Sequence, residues 1–253
     1  MKKEIKVDKL NVLISDNRKE LGDISAQAVH GWILESLRSK DEINILFAAA
    51  PSQDDFLSAL IEYDDISWER INAFHMDEYI ELPPEAPQGF GNYLRQRIFD
   101  VAEFKSVNLI NGNADDLEME CRRYSSLLQQ HPIDIVCAGI GENGHIAFND
   151  PPLAKFDDNQ SVRIIKLDER SRIQQVNDGC FSSIEKVPTY ALTVTIPLIM
   201  SAGALACMVP GERKAPAVKR ALFDPISEQI PASILRTHPK AILFLDTDSA
   251  KLI

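Results

Sequence analysis

Short apolar runs alternate with longer amphipathic or charged stretches along nearly the whole chain. Runs of this length bounded by turn residues predict strands buried on both faces, and their alternation with helix-period segments predicts βαβ units around a mostly parallel sheet. The predicted strands are 43–49, 71–75, 107–110, 133–138, 162–167, 191–196, 204–209 and 240–245. The predicted helices are 24–38, 54–62, 89–99, 114–130 and 213–222. Asp54 and Asp55 begin the second helix and Asp115 and Asp116 the fourth, where carboxylates complement the positive end of the helix dipole. No repeat, low-complexity tract or Gly/Ser linker interrupts the alternation, so residues 1–253 are read as a single α/β domain. Two irregular stretches, 82–88 and 151–160, are long enough to serve as binding loops.

Composition narrows the partners. With 45% hydrophobic and 26% charged residues the chain is an ordinary globular one. Its 27 Lys and Arg against 38 Asp and Glu give a net charge of −11, so no long-range positive field draws in nucleic acid or an anionic membrane. An anionic small molecule would have to be held by a local site. The cysteines, Cys121, Cys137, Cys180 and Cys207, form no CxxC pair and lie near no His at metal-ligand spacing, which suits reduced thiols and no bound metal. No apolar stretch reaches the length of a membrane span or of a signal-peptide core, and the expected location is the cytoplasm.

In open α/β sheets ligands bind beyond the carboxyl ends of the strands, so the residues after each apolar run are the candidates for chemistry. The first run ends in Pro51-Ser52-Gln53-Asp54, where a hydroxyl and backbone N–H groups could receive a phosphate, or where Ser52 is a plain helix cap. The second ends in Asp77-Glu78. A carboxylate there, in a partly apolar cleft, is suited to act as a general base; the alternative is a solvated turn. The third breaks into Gly139-Ile140-Gly141-Glu142-Asn143-Gly144-His145, with Asp150 five residues on. These glycines share the spacing of a dinucleotide fingerprint, but His145 and Pro151-Pro152 oppose the helix that such a site requires, so no nucleotide cofactor is implied. A later strand end brings Lys214, either a point charge for a phosphate or a solvated helix lysine.

The segments FHMDEYIELP, GIGENGHIAFNDP, VPTYALTVTIP, GERKA and HPKAI, in this order and spacing, resemble the glucosamine-6-phosphate deaminase (isomerase) and 6-phosphogluconolactonase family, and the deaminases more closely. The likeness runs over 43–246. It implies a modified Rossmann-type fold, aldose-to-ketose isomerisation of an amino-sugar phosphate with release of ammonia, and no metal or organic cofactor. It implies that Asp77 carries the proton between C2 and C1, that His145 assists ring opening alongside Asn143 and Asp150, and that Lys214, Ser52 and Gln53 bind phosphate. Homo-oligomers are common in the family.

Several positions depart from the family pattern. Asn143 stands where the family has Asp, which predicts a His145 oriented by hydrogen bonding but without a charge to stabilise its protonated form. Asp150 stands where the family has Glu, shorter by one bond of roughly 1.5 Å. AAAPSQ replaces a loop of glycines and threonine. The spacing around the family's second phosphate cation differs, and Arg172 is the candidate for it. Lys214, an arginine of this stretch and N–H groups after Ser52 are therefore expected to form a small basic pocket. A lactonase, or a sugar-phosphate sensor that has lost turnover, remain the alternative readings.

Overall fold

A computed structural model describes residues 3–253. The chain opens with an antiparallel hairpin, β1 (Lys3–Val7) and β2 (Leu10–Ser15), followed by α1 (Arg18–Leu37). There follow β3 (Ile43–Phe47), α2 (Asp54–Leu60), β4 (Ile71–His75), β5 (Asp77–Tyr79), α3 (Phe90–Leu94), β6 (Ser106–Asn108), α4 (Leu117–Gln130) and β7 (Ile135–Ala138). The second half holds β8 (Val162–Lys166), α5 (Glu169–Asn177), β9 (Tyr190–Val194), α6 (Ile196–Met200), β10 (Ala204–Val209), α7 (Ala215–Phe223) and β11 (Ala241–Asp246). Eight strands form one sheet in the order β1-β2-β11-β10-β7-β3-β4-β6, parallel throughout except for the opening hairpin.

The apolar runs sit where their composition requires. In β3, β4, β7 and β10 successive residues turn to opposite faces, so Leu46, Phe74, Val136 and Cys207 join one core cluster while Phe47, Ala73, Cys137 and Met208 join the other. Helices α4 and α7 cover the first cluster, and α1 and α2 the second. Burial on both faces is why these strands read as continuous apolar runs. Helix α1 starts six residues before the predicted one, because Asn17 caps it by accepting from the Glu20 amide and its first turn is polar.

Two features differ from the expected single sheet. The hairpin β1–β2 lies in a charged segment whose apolar residues alternate, and it was not predicted. Residues 162–166 and 190–194 do form strands, but not in the main sheet. With β5 they make a separate antiparallel sheet, β5-β9-β8, in which Asp77 lies opposite Thr193. Asp77 and Glu78 are therefore strand residues rather than a turn.

The order of the main sheet reverses direction between β7 and β3. From β3 the chain proceeds outward to β4, and from β7 it proceeds the other way to β10. Loops leaving those two strands separate, and the crevice between them is where an open α/β sheet accepts a ligand. Among the described residues no helix is long and apolar enough to cross a membrane.

Candidate active site

A cleft lies at that crevice. Its walls come from four strand ends, residues 48–50, 52 and 53 after β3, Met76 and Asp77 after β4, residues 139–141, 145, 147 and 148 after β7, and Lys214 after β10, and from Gln174 and Gln175 of α5. Phe90 and Phe148 add apolar surface, with ring centroids 5.6 Å apart.

Pairing with β9 decides which of the adjacent carboxylates faces the cleft. Strand residues alternate sides, so Asp77 points into the crevice and Glu78 away from it. Glu78 accepts the amides of Tyr79 (2.9 Å), Phe90 (3.0 Å) and Gly91 (2.8 Å), and thereby anchors the start of α3. Asp77 is buried, and that burial, with the charges of Glu78 and Asp150, pushes its carboxyl well above the ordinary range. A carboxyl so placed can both take and return a proton.

The loop after β7 stays irregular, as its His and prolines predict. It turns back on itself, with the Gly141 amide donating to the His145 carbonyl (3.0 Å). His145 lies against the backbone of Gly141. A Cβ built at Gly141 would stand 2.1 Å from His145 Cε1, so only glycine leaves room for the ring. Gly141→Ala is expected to lower turnover by about 100-fold, since displacements near 1 Å at a reacting group cost that much. The check is kcat alongside a thermal melt; a variant with wild-type kcat would show that the imidazole position is immaterial.

His145 Nδ1 has three oxygen neighbours: Asn143 Oδ1 at 2.8 Å, Asp150 Oδ1 at 2.8 Å and Ser171 Oγ at 2.9 Å. Two of them accept only, so Nδ1 carries the proton and Nε2 is the free basic nitrogen. Asp150 is fully buried, which disfavours its charge. The adjacent His145 and the donors Asn143 and Ser171 outweigh that and hold it at about 2.

Lys214 sits on a single helical turn that follows Gly211. Gly211 takes a φ of +95°, and its amide donates to both Asp246 carboxylate oxygens at 3.0 Å. The turn aims Lys214 into the cleft, where it is 8% exposed. Burial lowers its pKa against the upward pull of Asp178 and Glu142. Ser52 and Gln53 line the same wall; Gln53 Nε2 donates to Ser52 Oγ at 3.0 Å.

Residues 16–244 match the family described as glucosamine-6-phosphate isomerases/6-phosphogluconolactonase. The chain belongs to this family. Within it, the chain is similar to the glucosamine-6-phosphate deaminase of Bacillus cereus (strain B4264), at 34% identity over 243 residues, covering 96% of this chain and 89% of the relative. The glucosamine-6-phosphate deaminase of Listeria monocytogenes serotype 4a (strain HCC23) is 34% identical over 221 residues, 87% of this chain and 92% of the relative. The solved structure of a monomeric glucosamine-6-phosphate deaminase superposes with a TM-score of 0.86 at 32% identity, covering 96% and 99% of the two chains. A 6-phosphogluconolactonase from Thermotoga maritima shares the fold, with a TM-score of 0.73 at 17% identity, covering 94% and 98%.

The family pattern's missing aspartate does not leave His145 without a counter-charge. Asp150 reaches Nδ1 itself despite its shorter side chain. Arg172, by contrast, does not line the cleft. Its Nη2 donates to the carbonyls of Ile184 (2.7 Å) and Val187 (2.9 Å), which ties α5 to the following turn outside the cleft. Nor do the amides after Ser52 converge on a ligand: the Gln53 amide donates to the Ala50 carbonyl and that of Asp54 to Pro51. Among the described residues Lys214 is the one cation lining the cleft.

Sequence reasoning missed α5 entirely. Its buried face is Ser171, Gln174 and Gln175, a polar stripe at i, i+3 and i+4 that no search for apolar periodicity detects. Gln175 lines the cleft, and Gln174 Oε1 accepts the Glu142 amide at 2.8 Å. The usable signal was Asp168, whose carboxylate caps the helix by accepting from the Arg170 amide.

Proposed function

We propose that the protein is an amino-sugar-phosphate deaminase/isomerase that converts a hexosamine 6-phosphate to the ketose 6-phosphate and ammonia. The observation that carries this reading is the confrontation, across one cleft, of a buried Asp77 and the free Nε2 of His145, with Lys214 on a third side. The family relationship to deaminases over most of the chain supports it.

The chemistry divides accordingly. Opening the sugar ring requires a proton to leave the anomeric hydroxyl and one to reach the ring oxygen; His145 Nε2 relays it, and Asp150 stabilises the imidazolium formed on the way. Asp77 then removes the proton from C2 of the open-chain aldehyde and delivers it to C1 of the enaminol. The resulting C2 imine adds water and expels ammonia, leaving the ketose. Lys214 holds the phosphate, and this remote binding energy orients C1 and C2 over Asp77. Ser52 and Gln53 supply neutral donors beside it. Asn143 orients His145.

The test is an ammonia-release screen with glucosamine, galactosamine and mannosamine 6-phosphates, run beside hydrolysis of 6-phosphogluconolactone. Ammonia with formation of a ketose phosphate from one epimer supports the reading. Lactone hydrolysis without ammonia release makes the protein a lactonase, and sugar-phosphate binding with neither product makes it a sensor.

A further inference from the structure

Asp150 receives its hydrogen bonds unevenly. Oδ1 collects three donors, from Asn143 Nδ2 (2.9 Å), His145 Nδ1 (2.8 Å) and Ser171 Oγ, whereas Oδ2 has the Asp168 amide at 3.3 Å. Two of these four come from α5 and its cap: the Ser171 hydroxyl and the Asp168 amide. Asp150 is 0% exposed, so no solvent replaces a donor that is lost. Ser171 also stands 2.9 Å from His145 Nδ1 and 3.5 Å from Asn143 Nδ2, and so touches every member of the His145 relay. The rest of the buried face of α5 is Gln174 and Gln175, so the helix docks on the 139–150 loop through polar contacts.

We propose that Ser171 is a positioning residue: its hydroxyl fixes Asp150 Oδ1 against His145 Nδ1, so that the relay is assembled only while α5 is docked. It does not touch the substrate. Its proton points to Asp150, and its oxygen shares the Nδ1–H of His145, so one side chain sets both the carboxylate rotamer and the imidazole plane. The charged groups facing Asp150 are His145, on its own loop, and Asp77, on β5. The role in turnover rests on the deaminase reading; the hydrogen-bonding role does not.

The experiment compares wild type, S171A and S171T on two readouts. In turnover, S171A is expected to lose about 10- to 100-fold in kcat with little change in KM. S171T, which keeps the hydroxyl, is expected to restore kcat. Independently of any substrate, NMR of protein labelled with 15N-histidine should show the His145 Nδ1–H exchanging with water about tenfold faster in S171A. Should alanine unfold α5, S171C preserves the volume with only a weak S–H donor and allows the same comparison. An S171A protein with wild-type Nδ1–H exchange overturns the proposal, as does one with wild-type kcat. If wild type releases no ammonia from any hexosamine phosphate, the functional reading fails while the exchange measurement still decides the role of Ser171.

Discussion

Asp77→Asn is expected to lower kcat for ammonia release by about 10²- to 10⁴-fold while sugar-phosphate binding persists, since the amide keeps the shape of the carboxyl but can neither take nor return a proton. The same substitution should stabilise the fold, by an amount that depends on pH. The Asp77 carboxyl is raised in the folded state by burial and by Glu78 and Asp150, so the folded protein resists its ionisation. Below the unfolded pKa both states are protonated and the substitution changes little. As pH rises above that value the wild type incurs the cost of a buried charge and the amide variant does not. Melting curves of the two proteins should therefore diverge between acid and alkaline pH. Parallel curves would mean that Asp77 is not held protonated by its surroundings, and undiminished kcat would remove it from the proton transfers.

Lys214→Met should act on binding. Removing the one cation that lines the cleft among the described residues is expected to weaken kcat/KM by about 100-fold or more, mostly in KM, as truncations of buried charge partners do. Its stability effect should be neutral or favourable in the absence of ligand, because a buried ammonium is replaced by an apolar chain of similar length. The lowered pKa adds a second signature. Burial favours the uncharged amine, so in the free protein phosphate affinity should begin to fall on the alkaline side below the ordinary lysine range. Direct titration with a hexosamine 6-phosphate at several pH values checks both. Unchanged affinity in the methionine variant would move the anion to another part of the cleft.

Where the sequence was legible, burial was the reason. Strands covered on both faces must be apolar throughout, and β3, β4, β7 and β10 are. Their carboxyl ends line the cleft, so Asp77, His145 and Lys214 could be brought to it from their positions after apolar runs. What escaped was held by polar contacts. Helix α5 buries Ser171, Gln174 and Gln175, and its sequence carries no apolar rhythm. Arg172, one residue from Ser171, looked like a ligand cation because its type fits an anion; a helix turns adjacent residues through about 100°, and here that sends Ser171 to His145 and Arg172 to backbone carbonyls. Asn143 looked like a loss of charge because the sequence does not show that Asp150 reaches the same nitrogen. The second sheet was invisible for a different reason: strand length and pattern identify β8 and β9 but not the partner they pair with.

The pairing of β5 with β9 has one more consequence. Thr193 stands opposite Asp77 in the register, its hydroxyl accepts the Phe148 amide at 3.1 Å, and Asn149 Nδ2 donates to the Val194 carbonyl at 2.9 Å. One short strand thus grips both the segment bearing Asp77 and the loop bearing His145. The span between Asp77 and His145 is gauged by β9, a ruler whose marks are backbone positions. Insertions in the outer loops can resize the mouth of the cleft for a different sugar and leave that gauge unread and unchanged.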